Sequence, residues 1–259
     1  MNGSIKGRLN LNVFKFIRSS VHTFFIDLLF PIECFGCGKN RIFLCEACET
    51  SLPRNEKFFC LFCGHPSFKG KLCLKCAPHY ALTRVLIASE YENPLVQRMI
   101  KALKYEYVRD LSVPLGALLA DYIKDVFDWE PMFKNQTLKH WLVVPVPLHK
   151  SRLRERGFNQ AELLAASVAS ALNIPWQTEL LTRCRATSAQ VGLSEEERKE
   201  NIKGAFAVNS MTGIMPFLNG KTVLLIDDVT TTGATLEEAA KVLKNTGVKE
   251  IWGLVIAKG

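Results

Sequence analysis

The chain has 259 residues, 48% of them apolar, a formal charge of +8 and nine cysteines. This apolar content fills one sizeable core plus a small module and excludes bulk disorder, while the basic excess favours anionic partners without selecting one. Eight cysteines fall between Cys34 and Cys76 as four Cys-x-x-Cys pairs and Cys184 stands apart, a pattern that suits metal binding and needs no disulfide.

In chain order, residues 11–31 come first. Phe14, Ile17, Val21, Phe24, Phe25 and Leu28 fall on or near one helical face before Pro31 ends the pattern. Lys15, Arg18, His22 and Asp27 interrupt the apolar run, so it reads neither as a secretory signal nor as a membrane span. We expect an amphipathic helix within residues 1–31 that docks on the main domain, a partner subunit or a membrane surface, and no transmembrane segment.

Residues 32–80 form the cysteine-rich module. Cys34, Cys37, Cys45 and Cys48 make one candidate zinc set, and Cys60, Cys63, Cys73 and Cys76 repeat it, with Gly38 and Gly64 each following a pair. Four thiolates per ion leave no open coordination position, so up to two structural zinc sites are expected, and the metal would supply folding free energy to a segment too short for much core. Pairing within each repeat is simplest, but a crossed arrangement joining Cys34 and Cys37 to Cys60 and Cys63 suits the chain length equally well. Arg54, Lys57, Lys69, Lys71 and Lys75 offer phosphate contacts to nucleic acid, and a docking or dimerisation lobe, hence a homo-oligomer, is the equal alternative.

From residue 81 to 259 strands alternate with helices. The spacing predicts strands at 84–91, 140–148, 223–227 and 250–259, and helices at 94–106, 112–127, 159–172 and 235–247. This rhythm predicts an α/β fold, a mostly parallel sheet flanked by helices, with ligands beyond the carboxyl ends of the strands. Residues 181–204 fit poorly as core. They read as a basic arm carrying Arg183 and Arg185 followed by a solvated helix from Ser194, an arrangement that could close over a charged ligand.

The stretch VLLIDDVTTTGAT, residues 223–235, ends a buried strand in Asp227 and Asp228 and follows it with Thr230, Thr231, Thr232, Gly233, Ala234 and Thr235. A turn of this kind leading into a helix offers backbone N–H groups, hydroxyls and the positive helix end to a phosphate, and Gly233 permits close approach. The adjacent carboxylates would repel a bare phosphate, whereas a ribose between them explains both: the acids accept from its hydroxyls and help hold hydrated magnesium on a pyrophosphate. A mononucleotide P-loop at Gly220–Thr222 fails because Met215 stands where its first glycine should be, and no Gly-x-Gly-x-x-Gly follows a predicted strand.

Those residues resemble the type I phosphoribosyltransferases. With the cysteine module, and with IKALKYE at 100–106, PVPLHKSRLRERGFNQAELLA at 145–165 and RCRATSAQVGLSEEERKENIKGAF at 183–206, the chain resembles more narrowly the ComF competence proteins. The resemblance implies that Asp227 and Asp228 bind the ribose of phosphoribosyl pyrophosphate with Mg2+, and that the Thr230–Thr235 turn holds its 5-phosphate. It further assigns Val146, Pro147, Leu148 and His149 to a pyrophosphate loop, Lys104 to substrate binding, and Arg183 and Arg185 to the closing arm. The Arg152, Arg154 and Arg156 cluster serves the same anion or nucleic acid, or is simply a solvated face. The activity implied is transfer of the phosphoribosyl group to a nitrogen nucleophile in a cytoplasmic protein, soluble or peripheral at the inner face of the membrane, associated with DNA uptake. A non-catalytic protein binding single-stranded DNA, a competence helicase or recombination proteins with the same fold is the alternative, and a sensor of phosphoribosyl pyrophosphate is a third.

Overall fold

The computed structural model describes residues 32–129, 140–187, 194–210 and 217–259. The helix expected at 11–31 and the tip of the arm at 188–193 lie outside the described residues. The chain's contacts divide it into two units, Met1–Cys45 and Glu46–Gly259, so the division falls inside the cysteine-rich segment.

The elements of the second unit are, in order, α1 (Glu46–Thr50), β1 (Arg84–Glu90), α2 (Pro94–Tyr105), α3 (Ser112–Trp129), β2 (Trp141–Pro145), α4 (Lys150–Arg156), α5 (Gln160–Leu172), β3 (Leu181–Arg183), α6 (Glu195–Ile202), β4 (Phe206–Val208), β5 (Thr222–Thr230), α7 (Ala234–Lys244) and β6 (Glu250–Lys258). Four strands make one parallel sheet in the order β1-β6-β5-β2. Its interior strands are near-continuous apolar runs, as a sheet covered on both faces requires: Val223 to Ile226 and Ile251 to Ala257 are buried throughout. Trp141 on β2 meets Trp252 on β6 edge to face at 4.7 Å, pinning the register across the sheet. The short pair β3 and β4 is antiparallel and frames the arm.

Local chemistry starts and stops the helices. Asn93 accepts hydrogen bonds from the backbone N–H groups of Leu95 and Val96 and Pro94 occupies the first turn of α2, which then buries Val96, Met99, Ile100 and Leu103 along one stripe. Ser194 and Glu197 form the reciprocal capping box of α6, the solvated helix expected from Ser194. Helix α4 was not predicted. His149 caps it and Gly157, in the left-handed conformation at φ 75°, ends it.

The cysteines group within each repeat and not across them. The sulfur atoms of Cys34, Cys37, Cys45 and Cys48 lie within 4.8 Å of one another, as do those of Cys60, Cys63, Cys73 and Cys76. Closest approaches of 3.6 Å for Cys37 to Cys45 and 3.5 Å for Cys63 to Cys73 are near the about 3.8 Å edge of a tetrahedron of thiolates around zinc. Both sets therefore fit a structural zinc ion. His65 is in neither set. Its Nδ1 lies 3.4 Å from the Cys63 carbonyl. The second set is not peripheral, since Cys60, Leu61 and Leu72 belong to the same buried cluster as Leu82, Val85, Leu225 and Leu236.

No helix of the described residues is long and apolar enough to cross a membrane.

Two outcomes check this architecture. Metal analysis of the full chain should find two zinc ions, falling to one when Cys63 and Cys73 are both replaced by serine; a metal-free folded wild type would contradict it. A Cβ on Gly116 of α3 would lie 2.3 Å from the Ser167 Cβ of α5. Gly116→Ala should therefore cost about 1–3 kcal/mol in denaturant unfolding by forcing the two helices apart, and an unchanged midpoint would disprove so close a contact.

Candidate functional site

Strand β5 runs through the middle of the sheet, so its carboxyl end delivers Asp227 and Asp228 to a cavity of about 210 Å3 among the loops that follow the strands. Adjacent residues of a strand point to opposite faces, and the two carboxylates accordingly have different surroundings. Asp228 is buried, and its Oδ1 lies 2.8 Å from the Lys104 ammonium at the last turn of α2. Its Oδ2 accepts from Gln160 Nε2 at 3.3 Å. Asp227 is half-buried, and one of its oxygens accepts the backbone N–H of Asp228.

The electrostatics follow from burial. Burial pushes the Asp227 carboxyl up to about 7 and the neighbouring Asp228 carboxylate adds to the rise, against the pull of Lys104. For Lys104 burial disfavours the charged form, but the adjacent Asp228 carboxylate outweighs it and holds the ammonium above its usual pKa. Breaking one side of such a pair typically costs about 3–5 kcal/mol, because the other charge stays behind uncompensated.

Around the carboxylates stand four cations, Lys104, Arg152, Arg156 and Arg183, which leave two positive charges in excess of the two acids lining the cavity. Arg183, at the end of β3, donates to Thr187 Oγ1 at 2.5 Å, and its buried Nε has no hydrogen-bond partner among the described residues. Burial lowers its pKa, and Arg152 lowers it further. The loop after β2 supplies Val146, Pro147 and Leu148 as the opposite wall. Asn159 fixes that loop by donating to the Val146 carbonyl at 3.1 Å while its own Oδ1 accepts from Ala161 to start α5. The Gln160 Oε1, like Arg183 Nε, is a buried polar atom without a hydrogen-bond partner among the described residues. Two such atoms on residues lining one cavity are what a site built for a polar ligand presents.

The expected turn is partly strand. Pairing with β6 carries β5 on to Thr230, whose carbonyl accepts from Gly259. Gly233, at φ 82°, is the N-cap of α7, which begins at Ala234, one residue before the start expected at Thr235. Thr235 lines the cavity with Asp227, Asp228 and Val229, whereas Thr232 and Ala234 line a second cavity of about 460 Å3 with Phe62 and Tyr80.

Of the other residues singled out, Lys104, Val146, Pro147, Leu148 and Arg183 do converge on the carboxylates. His149 and Arg185 are engaged elsewhere. His149 Nδ1 accepts the Ser151 N–H and lies 2.8 Å from its hydroxyl, as a helix cap does, and Arg185 donates to the carbonyls of Asn201 and Lys203 at the end of α6. Gln160 and Asn159 were not assigned to the site. Both fall inside the helix expected at 159–172, and nothing in that local pattern marks the N-cap Asn159 or the first helical residue Gln160 as facing a ligand.

A phosphoribosyl transferase domain model matches residues 159–258 and a double zinc ribbon domain model matches residues 25–77. Competence protein F of Haemophilus influenzae is 32% identical over 228 residues, covering 86% of this chain and 90% of its own. The DNA utilization protein YhgH of Escherichia coli K12 is 31% identical over 220 residues, covering 82% and 89%, and competence protein ComFC of Bacillus subtilis is 27% identical over 208 residues, covering 79% of each chain. The eight cysteines from Cys34 to Cys76 lie within the zinc-ribbon match and β3 to β6 within the transferase match, and, with these relatives, the chain belongs to the ComF family of competence proteins.

Proposed function

We propose that the cavity at the end of β5 binds phosphoribosyl pyrophosphate with magnesium and that the protein transfers the phosphoribosyl group to a nitrogen nucleophile. The observation that carries this reading is the pair Asp227 and Asp228 at the carboxyl end of an interior parallel strand, ringed by Lys104, Arg152, Arg156 and Arg183.

Each part has a role. Asp227 and Asp228 accept from the ribose 2′ and 3′ hydroxyls, and Lys104 and Gln160 hold Asp228 in place for this. The start of α7, where Thr235 lines the cavity, receives the 5-phosphate, whereas Thr232 and Ala234 line the larger cavity. Arg183, with Arg152 and Arg156, stabilises the charge that develops on pyrophosphate as the bond from C1 to oxygen breaks. The nucleophile's lone pair then forms the new bond at C1. Magnesium, bound with the substrate, supplies further charge neutralisation on the pyrophosphate oxygens. The names of the relatives, competence protein and DNA utilization protein, support placing this chemistry in the handling of DNA during competence.

A second reading rests on a different observation. Tyr105 is exposed and lines the cavity, and the Arg156 guanidinium lies 5.7 Å from its ring centre. Aromatic and cationic side chains so mixed suit stacked bases of single-stranded DNA. Salt-sensitive binding of single strands, weakened by Tyr105→Ala and Arg156→Ala but not by Asp227→Asn, would favour this reading over transfer.

Calorimetric titration with magnesium and phosphoribosyl pyrophosphate should show binding to the wild type at pH 8 and none to Asp227→Asn or Asp228→Asn. Because the ionised Asp227 is the acceptor, affinity should fall as pH drops below about 7. The same shift has the opposite effect on stability. A carboxyl whose folded pKa lies above its unfolded value destabilises the fold increasingly as pH rises between the two. Asp227→Asn should thus melt above the wild type at pH 8, with the advantage fading as pH falls from about 7 towards about 4. A variant that keeps its ligand, or that melts lower at pH 8, would refute this assignment.

A further inference from the structure

The two knuckles of the second cysteine set face different surroundings. Between Cys73 and Cys76, Leu74 is 94% exposed, as expected of a residue at the tip of a zinc knuckle. Between Cys60 and Cys63, Leu61 is 5% exposed and Cys60 is fully buried. What covers them is the turn that starts α7.

The contact is close enough to dictate the residue opposite. A Cβ on Gly233 would lie 2.5 Å from Leu61 Cδ2, 3.3 Å from Leu61 Cγ and 3.1 Å from Phe62 Cε1. Gly233 is thus required twice, for its φ of 82° and for the approach of the knuckle. The Phe62 ring is in turn stacked on Tyr80, with centroids 3.5 Å apart and planes within 4°. A second clip holds the same helix: Glu237, in the first turn of α7, accepts from the N–H groups of Ala81 and Leu82, the segment that follows the last cysteine pair. On the strand side, the Lys258 ammonium sits 4.9 Å over the Phe59 ring, and Lys258 is the register partner of Thr230. The ribbon therefore touches the turn itself, the helix after it and the strand beside it.

Leu61 and Phe62 are the two residues between zinc ligands, so their positions follow from the geometry of the metal site. We propose that the second zinc site sets the shape of the phosphate turn through Leu61 and Phe62, making them positioning residues for the sugar phosphate. The proposal builds on the reading of the cavity given above and adds to it that ligand affinity depends on the integrity of this knuckle.

Amide hydrogen exchange on the zinc-loaded full chain tests the coupling without needing activity. In Leu61→Ala, amides of residues 230–236 should exchange about tenfold faster while those of α5 keep their wild-type rates and two zinc ions remain bound. Leu61→Val, a smaller truncation that preserves the fold, should show the same pattern to a lesser degree. Leu74→Ala, the same deletion on the exposed knuckle, should change nothing. Affinity for phosphoribosyl pyrophosphate with magnesium should fall about tenfold in Leu61→Ala. Unchanged exchange at the turn, or acceleration spread evenly over the sheet, would overturn the proposal. A wild type that binds no phosphoribosyl pyrophosphate would instead defeat the reading of the cavity, and the exchange rates would still decide the coupling.

Discussion

Two carboxylates at the end of a buried strand must be reconciled with the low dielectric around them, and the pair of Lys104 with Asp228 at 2.8 Å is what makes this possible. Without the ammonium, two adjacent acids would share one site and one would be driven neutral. With it, Asp228 has a partner of opposite charge, and the cost of ionisation falls on Asp227, whose pKa rises to about 7. The cleft therefore holds one carboxylate fixed by hydrogen bonds and one poised near neutrality. That asymmetry is a destabilising feature of the isolated fold, and such features persist where a ligand relieves them.

The rest of the molecule is arranged around that strand end. β5 is interior, and α2, α4 and β3 each bring one or two cations to the cavity at its carboxyl end. Asn159 ties the loop after β2 to the start of α5, and Gln160 in the next position ties α5 to Asp228. On the opposite side of the turn lies the second cysteine set, whose buried knuckle occupies the space a side chain at Gly233 would need. The second cysteine set and the start of α7 share one apolar cluster, which gives a physical reason for the two to occur in one chain.

What was legible beforehand had a local cause. The run Val223 to Ile226 announced an interior strand because both of its faces are covered, and the four cysteine pairs announced two metal sets because the ligand spacing is short-range. Strand β5 runs three residues past Asp227 because β6 pairs along its whole length, a long-range fact invisible in the motif. Helix α4 was missed because Lys150 to Arg156 buries no residue, so no apolar period betrays it. The separation of Arg185 from Arg183 was equally hidden: two arginines two residues apart read as one arm, yet one faces the carboxylates and the other fastens α6. The contact of Leu61 with Gly233 spans most of the chain. Its only trace was two apolar residues, Leu61 and Phe62, between a pair of cysteines.

The most direct test of the central claim is a crystal structure of the full chain with magnesium and phosphoribosyl pyrophosphate. The account predicts the ribose hydroxyls on Asp227 and Asp228, the 5-phosphate against the amides of the turn before α7, and the pyrophosphate among Arg152, Arg156 and Arg183. A ligand lodged in the larger cavity beside Phe62 and Tyr80, or no bound ligand at saturating concentration, would contradict it.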